Sequence, residues 1–232
     1  MSEKIIVNVP QINLNDYEIT QYIGRGVFSV VCKAIDTKTK KEVAIKSYEV
    51  NEKRNLKNCI RNVNISCVDV PGIVKMLGYR FSLTEEEKKS FKYSKFTLPG
   101  CNKTINLTDF IVVTEYYNYN NVPELISEYL KSNGNNHDII NPTVRSKIIF
   151  GVASIMKQFH KKSIIHHDLK LENVFLSDQL EPVISNFDLS KFFNNQFELM
   201  PYRALYSIAP ETLMDGEIYS FSVDVYGYAF LL

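Results

Sequence analysis

The fold of this chain is decided by residues 164–190, which read IIHHDLKLENVFLSDQLEPVISNFDLS. The stretch places a carboxylate, Asp168, two residues before a cation, Lys170, and five residues before an amide, Asn173. Short apolar runs on both sides predict strands that hold these polar side chains on a loop. Phosphoryl transfer needs a carboxylate to orient a hydroxyl, a cation near the moving phosphate and an oxygen ligand for Mg²⁺. The stretch supplies all three groups in this order.

The stretch resembles two motifs of the protein kinase family, the catalytic loop His-Arg-Asp-Leu-Lys-x-x-Asn and the Asp-Phe-Gly sequence that follows it. The resemblance implies that Asp168 orients the hydroxyl of the substrate, that Lys170 lies near the γ-phosphate and that Asn173 is a metal ligand. In the family, a lysine two residues after the catalytic aspartate favours serine or threonine over tyrosine as the phosphate acceptor.

Three residues of the stretch depart from the family pattern. Asn186 stands in place of the metal-binding aspartate, and because Mg²⁺ prefers charged oxygen ligands, we expect weak metal binding. Asp188, in place of the glycine, is the local substitute for that carboxylate, but it would reach a metal only if Phe187 left its packed position. His167 replaces the arginine that docks a phosphorylated activation loop, so control by phosphorylation of that loop is not expected.

A glycine-containing segment, residues 23–31, lies between two predicted strands and reads IGRGVFSVV. Glycines let backbone amides approach a phosphate without obstruction by a Cβ atom. Alone, the segment is explained at least as well by an ordinary hairpin. It resembles the phosphate-covering loop G-x-G-x-x-G-x-V of the kinases, with Ser29 in place of the third glycine. The resemblance implies that ATP is contacted by Ile23, Gly24, Gly26 and Val31.

Two further motifs follow in the order that the family shows. Residues 43–46, Val-Ala-Ile-Lys, resemble the strand whose lysine contacts the α- and β-phosphates, although a lone strand lysine is normally a solvated edge residue. Residues 112–117, Val-Val-Thr-Glu-Tyr-Tyr, resemble the hinge that holds adenine by backbone hydrogen bonds. The resemblance implies that ATP is bound, in a cleft between two lobes, by Ala44, Lys46, Thr114, Glu115, Tyr117 and Phe175.

The family pairs its strand lysine with a glutamate on the following helix. Counting back from the turn that closes the predicted helix, the expected position falls on Arg61 or Asn62. Neither residue can form an ion pair with Lys46. We therefore expect Lys46 to lack this orienting carboxylate.

Two segments near the end of the chain extend the resemblance. Ala209-Pro210-Glu211 resembles the end of the kinase activation segment, and residues 222–228 resemble the start of the central helix of the large lobe. The family also has a hydrophobic spine. Its expected members here are His166, Phe187, Ile65 and Met76, with Asp224 as the anchor.

The order of short strands followed by helices predicts an α+β, bilobal protein kinase-like fold, with an antiparallel β-sheet in the N-lobe and a mainly helical C-lobe. Periodicity and turn residues give the element bounds. Strands are predicted at 17–23, 29–36, 42–48, 73–83 and 110–117, and helices at 51–67, 122–131 and 142–161.

The domain organisation follows from these elements. Residues 1–16 read as a leader or loosely docked N-terminal arm, and 17–232 as a kinase domain. Within it we expect a small lobe at 17–114, a hinge at 115–119 and a large lobe at 120–232 that is incomplete. Residues 84–109 look like an insertion in the small lobe, and the charge run at 85–89 predicts a solvated helix face.

The composition of the 232 residues excludes several function classes. Lys and Arg number 27 and Asp and Glu 26, so the net charge of +1 gives no global field that favours nucleic acid or an anionic membrane. The four cysteines form no C-x-x-C pair, and the N-terminus lacks an apolar signal core. No apolar run approaches the roughly 18 residues of a membrane helix. These features favour a soluble, cytoplasmic protein.

Two functions remain open. The first is a serine/threonine-type protein kinase of low activity that uses ATP with Mg²⁺ or Mn²⁺ on a protein substrate. The second is a pseudokinase, a nucleotide-binding or empty module that acts by binding a partner protein, since loss of charged groups around Mg-ATP costs orders of magnitude in rate. A small-molecule kinase is less well supported, because the Ala-Pro-Glu element belongs to the protein kinases.

Overall fold

The structure is a computed structural model. It describes residues 9–25, 29–48, 63–81, 95–97, 104–106, 110–118, 121–131, 141–192, 209–213 and 220–232. The chain divides into two compact units. Unit 1 comprises Met1–Cys67 and Lys75–Tyr116, and unit 2 comprises Val68–Val74 and Tyr117–Leu232.

Unit 1 is built on the predicted antiparallel sheet of five strands, in the order β1-β2-β3-β7-β4. A separate two-stranded sheet pairs β5 with β6. The strand bounds are Tyr17–Arg25 (β1), Ser29–Asp36 (β2), Glu42–Tyr48 (β3), Met76–Phe81 (β4), Lys95–Thr97 (β5), Thr104–Asn106 (β6) and Phe110–Glu115 (β7).

Strands β2 and β3 have the predicted bounds, whereas β4 begins three residues later than predicted. The reason is that residues 73–75 leave the sheet after a turn at Gly72, which has a φ of 83°. Ile73 forms a bridge with Ile184, and the Val74 N–H donates to the Ile184 carbonyl at 2.9 Å. The apolar run at 73–83 therefore begins with residues that bond to unit 2 and continues as strand β4 in the sheet of unit 1.

Alternation along the strands gives the sheet two buried faces. One face packs Val30, Cys32 and Ala34 of β2 against Val43 and Ile45 of β3. The opposite face forms a second cluster with a helical turn at residues 63–66. The members of this second cluster are Tyr48, Val63, Met76, Tyr79, Phe110 and Val112.

Residues 9–16 form a strap that is docked on the sheet, so the expected leader or loose arm is wrong for this part of the chain. The Ile12 N–H donates to the Tyr79 carbonyl at 3.0 Å, and the Tyr79 N–H donates to the Pro10 carbonyl at 3.2 Å. Ile12 and Leu14 are buried in the first sheet face. Ile12 and Leu14 are a single apolar pair in a polar segment, and one such pair is too weak a pattern to predict that the segment docks on the sheet.

Unit 2 carries the helices α1 (Val122–Lys131), α2 (Pro142–Lys161) and α3 (Ser222–Ala229). The first two have the predicted bounds. Asn141 caps α2 by accepting a hydrogen bond from the Val144 N–H at 2.9 Å, and Pro142 occupies the first turn. The buried stripe of α2 is Val144, Val152, Ile155, Met156 and Phe159.

Four short strands frame the polar stretch of unit 2, as predicted for the runs on both sides of Asp168. Strand β8 (Ile164–Ile165) pairs with β11 (Lys191–Phe192), and β9 (Val174–Leu176) pairs with β10 (Pro182–Ile184). Among the described residues, no helix is long and apolar enough to cross a bilayer.

Some predictions fall outside the described residues. Of the predicted helix at 51–67 only the turn at 63–66 is described, and Arg61 and Asn62 are not. The charge run at 85–89 is likewise outside, as is Gly26. Within the predicted insertion, the pairing of β5 with β6 is described and was not expected from the sequence.

Candidate active site

The loop after β8 brings three predicted residues into direct contact. The Asn173 Nδ2 donates to the Asp168 carboxylate at 3.0 Å and to the Asp168 carbonyl at 2.6 Å. The Lys170 Nζ lies 3.2 Å from the same carboxylate oxygen, Oδ2. The Asp168 side chain is 12% exposed and that of Lys170 33%. Asp168, Lys170 and Asn173 therefore form one polar group in unit 2, joined by hydrogen bonds from Asn173 and by the ion pair with Lys170.

The two oxygens of the Asp168 carboxylate have different surroundings. Both side-chain contacts fall on Oδ2, and no hydrogen bond among the described residues reaches Oδ1. A carboxylate oxygen accepts two hydrogen bonds. Since Asn173 and Lys170 fix the orientation of the group, Oδ1 is the atom that can accept a hydrogen bond from a hydroxyl.

The backbone leading to Asp168 is anchored by the buried carboxylate of Asp224 on α3. Its oxygens accept the N–H groups of His166 at 2.9 Å and His167 at 2.8 Å, and Asp224 is 2% exposed. The predicted anchoring by Asp224 is confirmed at His166, one member of the expected spine. A third contact joins Asp224 Oδ2 to His160 Nε2 at 2.9 Å. A buried carboxylate requires several such donors, because burial without hydrogen bonds is costly.

The contact of His160 with Asp224 was missed from the sequence. A signal was available in the helical period, since His160 follows the buried Met156 by four residues and so lies on the same side of α2. His160 also stacks on Phe221, with ring centroids 4.5 Å apart. The pattern of apolar residues alone gave no reason to include a histidine in the packed face.

His166 has the packing role that the resemblance implied. Its ring lies edge-on to that of Phe187, with centroids 5.6 Å apart, and Phe187 stacks on Phe159. Its Nε2 lies 3.0 Å from the Ser185 carbonyl, and its Nδ1 accepts the Asp168 N–H at 3.3 Å. Because a carbonyl only accepts and an N–H only donates, the ring is the neutral Nε2–H tautomer.

Asn186 joins the group around Asp168 by an amide contact. Its Nδ2 donates to the Asn173 Oδ1 at 3.2 Å, and its backbone is left-handed with a φ of 66°. An aspartate at position 186 would place a carboxylate oxygen against the Asn173 Oδ1. Both atoms are acceptors, and a cation between them would relieve their repulsion. Asn186 instead supplies the donor itself, so the Asn173 oxygen is already engaged without a metal.

The residues at this position do not fit the divalent-metal site of the kinases. Asn173 and Asn186 are neutral amides that bond to each other, and hard cations prefer carboxylates. Asp188 follows Phe187, which is buried in the ring cluster and so fixes the local backbone. In the part of the chain that the structure describes, no group of three or more His, Cys, Asp and Glu side chains could hold a metal.

In unit 1, the strand register places the predicted ATP-binding residues on one sheet face. Val31 pairs with Lys46, and Gly24 pairs with Val31 on its other side. Directly paired residues share a face, and so do residues two apart on a strand. Ala44 therefore lies on the face of Lys46, and its partner Thr114 does as well. Ile23, which falls at an irregularity in the pairing, is exposed.

The same face carries two lysines that lie over aromatic rings. The Lys46 Nζ is 5.0 Å from the centroid of the Tyr48 ring. The Lys33 Nζ is 4.5 Å from that of Tyr116, and it also lies 2.7 Å from the Glu42 carboxylate. Neither aromatic contact was predicted. Lys46 and Tyr48 are an i and i+2 pair, which leaves no pattern distinct from ordinary alternation, and Lys33 and Tyr116 are far apart in the chain.

Ser29 starts β2 in place of the third glycine of the predicted phosphate loop. It pairs with Tyr48 and so lies on the face of Lys46. Its hydroxyl is buried and has no hydrogen-bond partner among the described residues. Ser29 is therefore buried with a polar atom that no described residue satisfies.

The predicted hinge residues fall in both units. The Glu115 N–H donates to the Lys75 carbonyl at 3.0 Å, and the Thr114 hydroxyl donates to the Glu115 carbonyl at 3.1 Å. In unit 2, the ring centroids of Tyr117 and Phe175 lie 6.4 Å apart. These two predicted residues are therefore neighbours.

Comparison with known families gives a match over most of the chain. The sequence profile described as protein kinase domain matches residues 17–232. The match begins at the residue where strand β1 begins.

Comparison with curated proteins finds serine/threonine and receptor-like kinases. The probable serine/threonine-protein kinase samkB of Dictyostelium discoideum is 24% identical over 79% of this chain and 27% of its own length. Cysteine-rich receptor-like protein kinase 26 of Arabidopsis thaliana is 25% identical over 100% of this chain and 31% of its own. The Arabidopsis G-type lectin S-receptor-like serine/threonine-protein kinase B120 is 28% identical over 97% and 24%. The chain thus spans about a third or less of these relatives.

Proposed function

Because the chain belongs to the protein kinase family, whose members transfer phosphate to proteins, we propose that it binds ATP and transfers the γ-phosphate slowly to a serine or threonine of a protein substrate. The observation that carries the proposal is the contact of Asp168 with Asn173, by hydrogen bonds, and with Lys170, by an ion pair. The names of the relatives and the lysine at position 170 support serine or threonine as acceptor.

Asp168 is the proposed catalytic base. Its Oδ1 accepts the hydrogen bond of the substrate hydroxyl and takes the proton as the hydroxyl oxygen bonds to the γ-phosphorus. The bond from that phosphorus to the bridging oxygen breaks, and ADP leaves. Lys170, held at 3.2 Å from the other carboxylate oxygen, stabilises the negative charge on the phosphoryl group.

ATP is the proposed ligand of the sheet face in unit 1. Lys46 contacts the phosphates together with backbone amides of the segment that contains Gly24 and Gly26. Apolar side chains on the same face, including Val31 and Ala44, contact the base. The remaining contributions are assigned to Ile23, Thr114, Glu115, Tyr117 and Phe175.

The slow rate follows from the amide pair of Asn173 and Asn186. The family in general uses a divalent metal, which neutralises charge on the β- and γ-phosphates. Because the Asn186 amide already donates a hydrogen bond to the Asn173 Oδ1 at 3.2 Å, we propose that ATP binding depends only weakly on Mg²⁺ or Mn²⁺. Lys46 then supplies more of the charge stabilisation than in kinases with the aspartate.

The same amide pair favours a second function, that of a pseudokinase. In that case the chain binds ATP, or no nucleotide, and acts through a protein partner. The hydrogen bond from Asn186 to Asn173 is the specific observation in its favour, because it stabilises the loop without a metal.

The proposals are separated by incubation with labelled ATP, Mg²⁺ or Mn²⁺ and a generic protein substrate. For a slow kinase we expect label on serine or threonine, reduced roughly 10²-fold or more in Asp168→Asn, which removes the base. Label that Asp168→Asn leaves unchanged would come from a contaminant. ATP binding without transfer would establish the pseudokinase.

A further inference from the structure

Helices α2 and α3 of unit 2 both contribute side chains to a groove of about 500 Å³. The Tyr228 hydroxyl of α3 donates to the Ile149 carbonyl of α2 at 2.9 Å, and this hydrogen bond joins the two helices. The volume is within the range of clefts that bind ligands. The groove is therefore large enough to receive side chains of another molecule.

Apolar side chains form one part of this groove and its border. Ala153 and Val225 line it, and Val225 is 61% exposed. Phe150 is 74% exposed, and it lies on the same face of α2 as Ala153 and Lys157, because residues three and seven positions apart share a helix face. Aromatic side chains are enriched at protein–protein interfaces. The exposed Phe150 therefore has the position and the chemistry of an anchor for a partner.

Two lysines give the same groove a positive charge. Lys157 and Lys161 are four residues apart on α2, so they lie on one face of a helix that contains no Asp or Glu. Among the described residues, no ion pair includes either lysine. Asp224 also lines the groove, but its carboxylate is buried and bonded to His160 and two backbone N–H groups. The described residues thus leave a local excess of positive charge, although the net charge of the chain is only +1.

We propose that the groove between α2 and α3 is a docking site for an acidic segment of a partner protein. The segment places an apolar side chain against Phe150 and Val225, and its carboxylates lie beside Lys157 and Lys161. Charge complementarity selects this occupant, because opposite charges across an interface favour association and like charges oppose it. The inference goes beyond the proposed function, since docking requires neither ATP nor phosphoryl transfer.

Binding is tested by NMR titration of the full chain with the peptide Glu-Glu-Leu-Phe-Glu-Glu, blocked at both ends. We expect the methyl signals of Ala153 and Val225 and the ring signals of His160 to shift, and the affinity to fall at high salt, because salt screens the charges. The peptide Lys-Lys-Leu-Phe-Lys-Lys should leave the signals in place. Equal shifts with both peptides, or no shift with the acidic peptide at roughly millimolar concentration, would overturn the proposal.

Charge reversal tests the role of the lysines. The double variant Lys157→Glu with Lys161→Glu should bind the acidic peptide at least roughly tenfold more weakly. The matched control is Lys40→Glu with Lys41→Glu, which makes the same change of net charge at two exposed lysines of unit 1 and should leave binding unchanged. Equal affinity of the two double variants would overturn the proposal. If the first does not fold, Lys157→Gln with Lys161→Gln replaces it and should also bind more weakly.

The apolar anchor is tested by Phe150→Ser. Because Phe150 is exposed, the substitution should not change stability, but it should weaken binding of the acidic peptide roughly fivefold or more. Leu130→Ser is the matched control, since Leu130 is 67% exposed on α1. An unchanged affinity in Phe150→Ser would overturn the proposal.

Sedimentation separates the other possible occupants of the groove. A dimer that Phe150→Ser dissociates would assign the groove to a second copy of this chain. Co-sedimentation with vesicles of phosphatidylcholine and phosphatidylserine, abolished by Lys157→Glu with Lys161→Glu, would assign it to an anionic membrane. Either result would overturn the proposal, whereas a monomer that ignores the vesicles and binds the acidic peptide supports it.

Discussion

The loop around Asp168 and the sheet face around Lys46 hold their charged groups by different means. At the loop, Asp168 and the carboxylate of Asp224 that anchors the loop from α3 each contact two or more donor groups at 2.8–3.2 Å. On the sheet face, Lys46 lies over a buried ring, and the neighbouring Ser29 hydroxyl has no partner among the described residues. Hydrogen bonds and ion pairs fix the position of a charged group closely, but the loss of one partner leaves a polar group unpaired and costs stability. The loss of a ring contact costs less stability.

The largest effect is expected at the anchor of the loop. Asp224→Ala should lower the free energy of unfolding by about 3–5 kcal/mol, because it leaves two buried N–H groups unpaired. Asp224→Asn keeps one acceptor oxygen, so its free energy of unfolding should decrease less than that of Asp224→Ala. Chemical denaturation measures both, with exposed Asp178→Asn as the control. Equal stability of Asp224→Ala and the control would show that the hydrogen bonds do not fix the loop.

A smaller effect is expected where an amide replaces a carboxylate. Asn186→Asp places acceptor against acceptor at the Asn173 oxygen, and should destabilise the protein in EDTA by about 1–3 kcal/mol. Mg²⁺ or Mn²⁺ should restore the loss, since a cation relieves the repulsion. Thermal unfolding with and without metal measures this.

The control for this change is Asn186→Ala, which breaks the same hydrogen bond without adding charge and should not respond to metal. A metal response of the unchanged protein as large as that of Asn186→Asp would contradict the expectation. The double change Asn186→Asp with Asp188→Gly should increase the metal dependence of ATP binding further.

On the sheet face, a substitution at Ser29 should raise the stability of the protein instead of lowering it. Removing a buried hydroxyl that has no partner should raise the free energy of unfolding, by about 1 kcal/mol, in Ser29→Ala. Ser47→Ala is the matched control, since Ser47 is buried on the opposite face of the adjacent strand and has a partner. A loss of stability in Ser29→Ala would mean that the hydroxyl is bonded in solution.

The smallest effect concerns two thiols of unit 1. Burial raises the pKa of Cys32 and of Cys67 to about 11, from an ordinary value of 9.0. Because the folded state disfavours the thiolate, their contribution to stability is fully present below about pH 9 and decreases as the pH rises toward 11. Unfolding measured between pH 8 and 11 should show a shallower decrease in Cys32→Ala. An unchanged slope would exclude Cys32 from this effect.

The sequence predicted most where local signals and the family pattern coincide. Helix α2 has its predicted bounds because Asn141 and Pro142 mark its start, and β2 and β3 are bounded by polar turns. Asp168, Lys170 and Asn173 were predicted as a group and lie together, because their spacing on one loop already constrains them.

What the sequence did not show are contacts between distant segments. The strap at residues 9–16, the contact of His160 with Asp224 and the split of the run at 73–83 depend on partners elsewhere in the chain. The contact of Lys46 with Tyr48 is local, but alternation places any i and i+2 pair on one face. Only the fixed ring beneath the ammonium distinguishes it.

The strap has a consequence for how this protein meets other chains. Strand β4 is at an edge of its sheet, and exposed strand edges offer N–H and C=O groups to which a second molecule can add a strand. At Tyr79 both backbone groups are already bonded to Pro10 and Ile12, and a side chain at position 78 would overlap Ile12. The glycine at 78 thus lets the chain close its own sheet edge and makes that edge a poor template for intermolecular β-pairing.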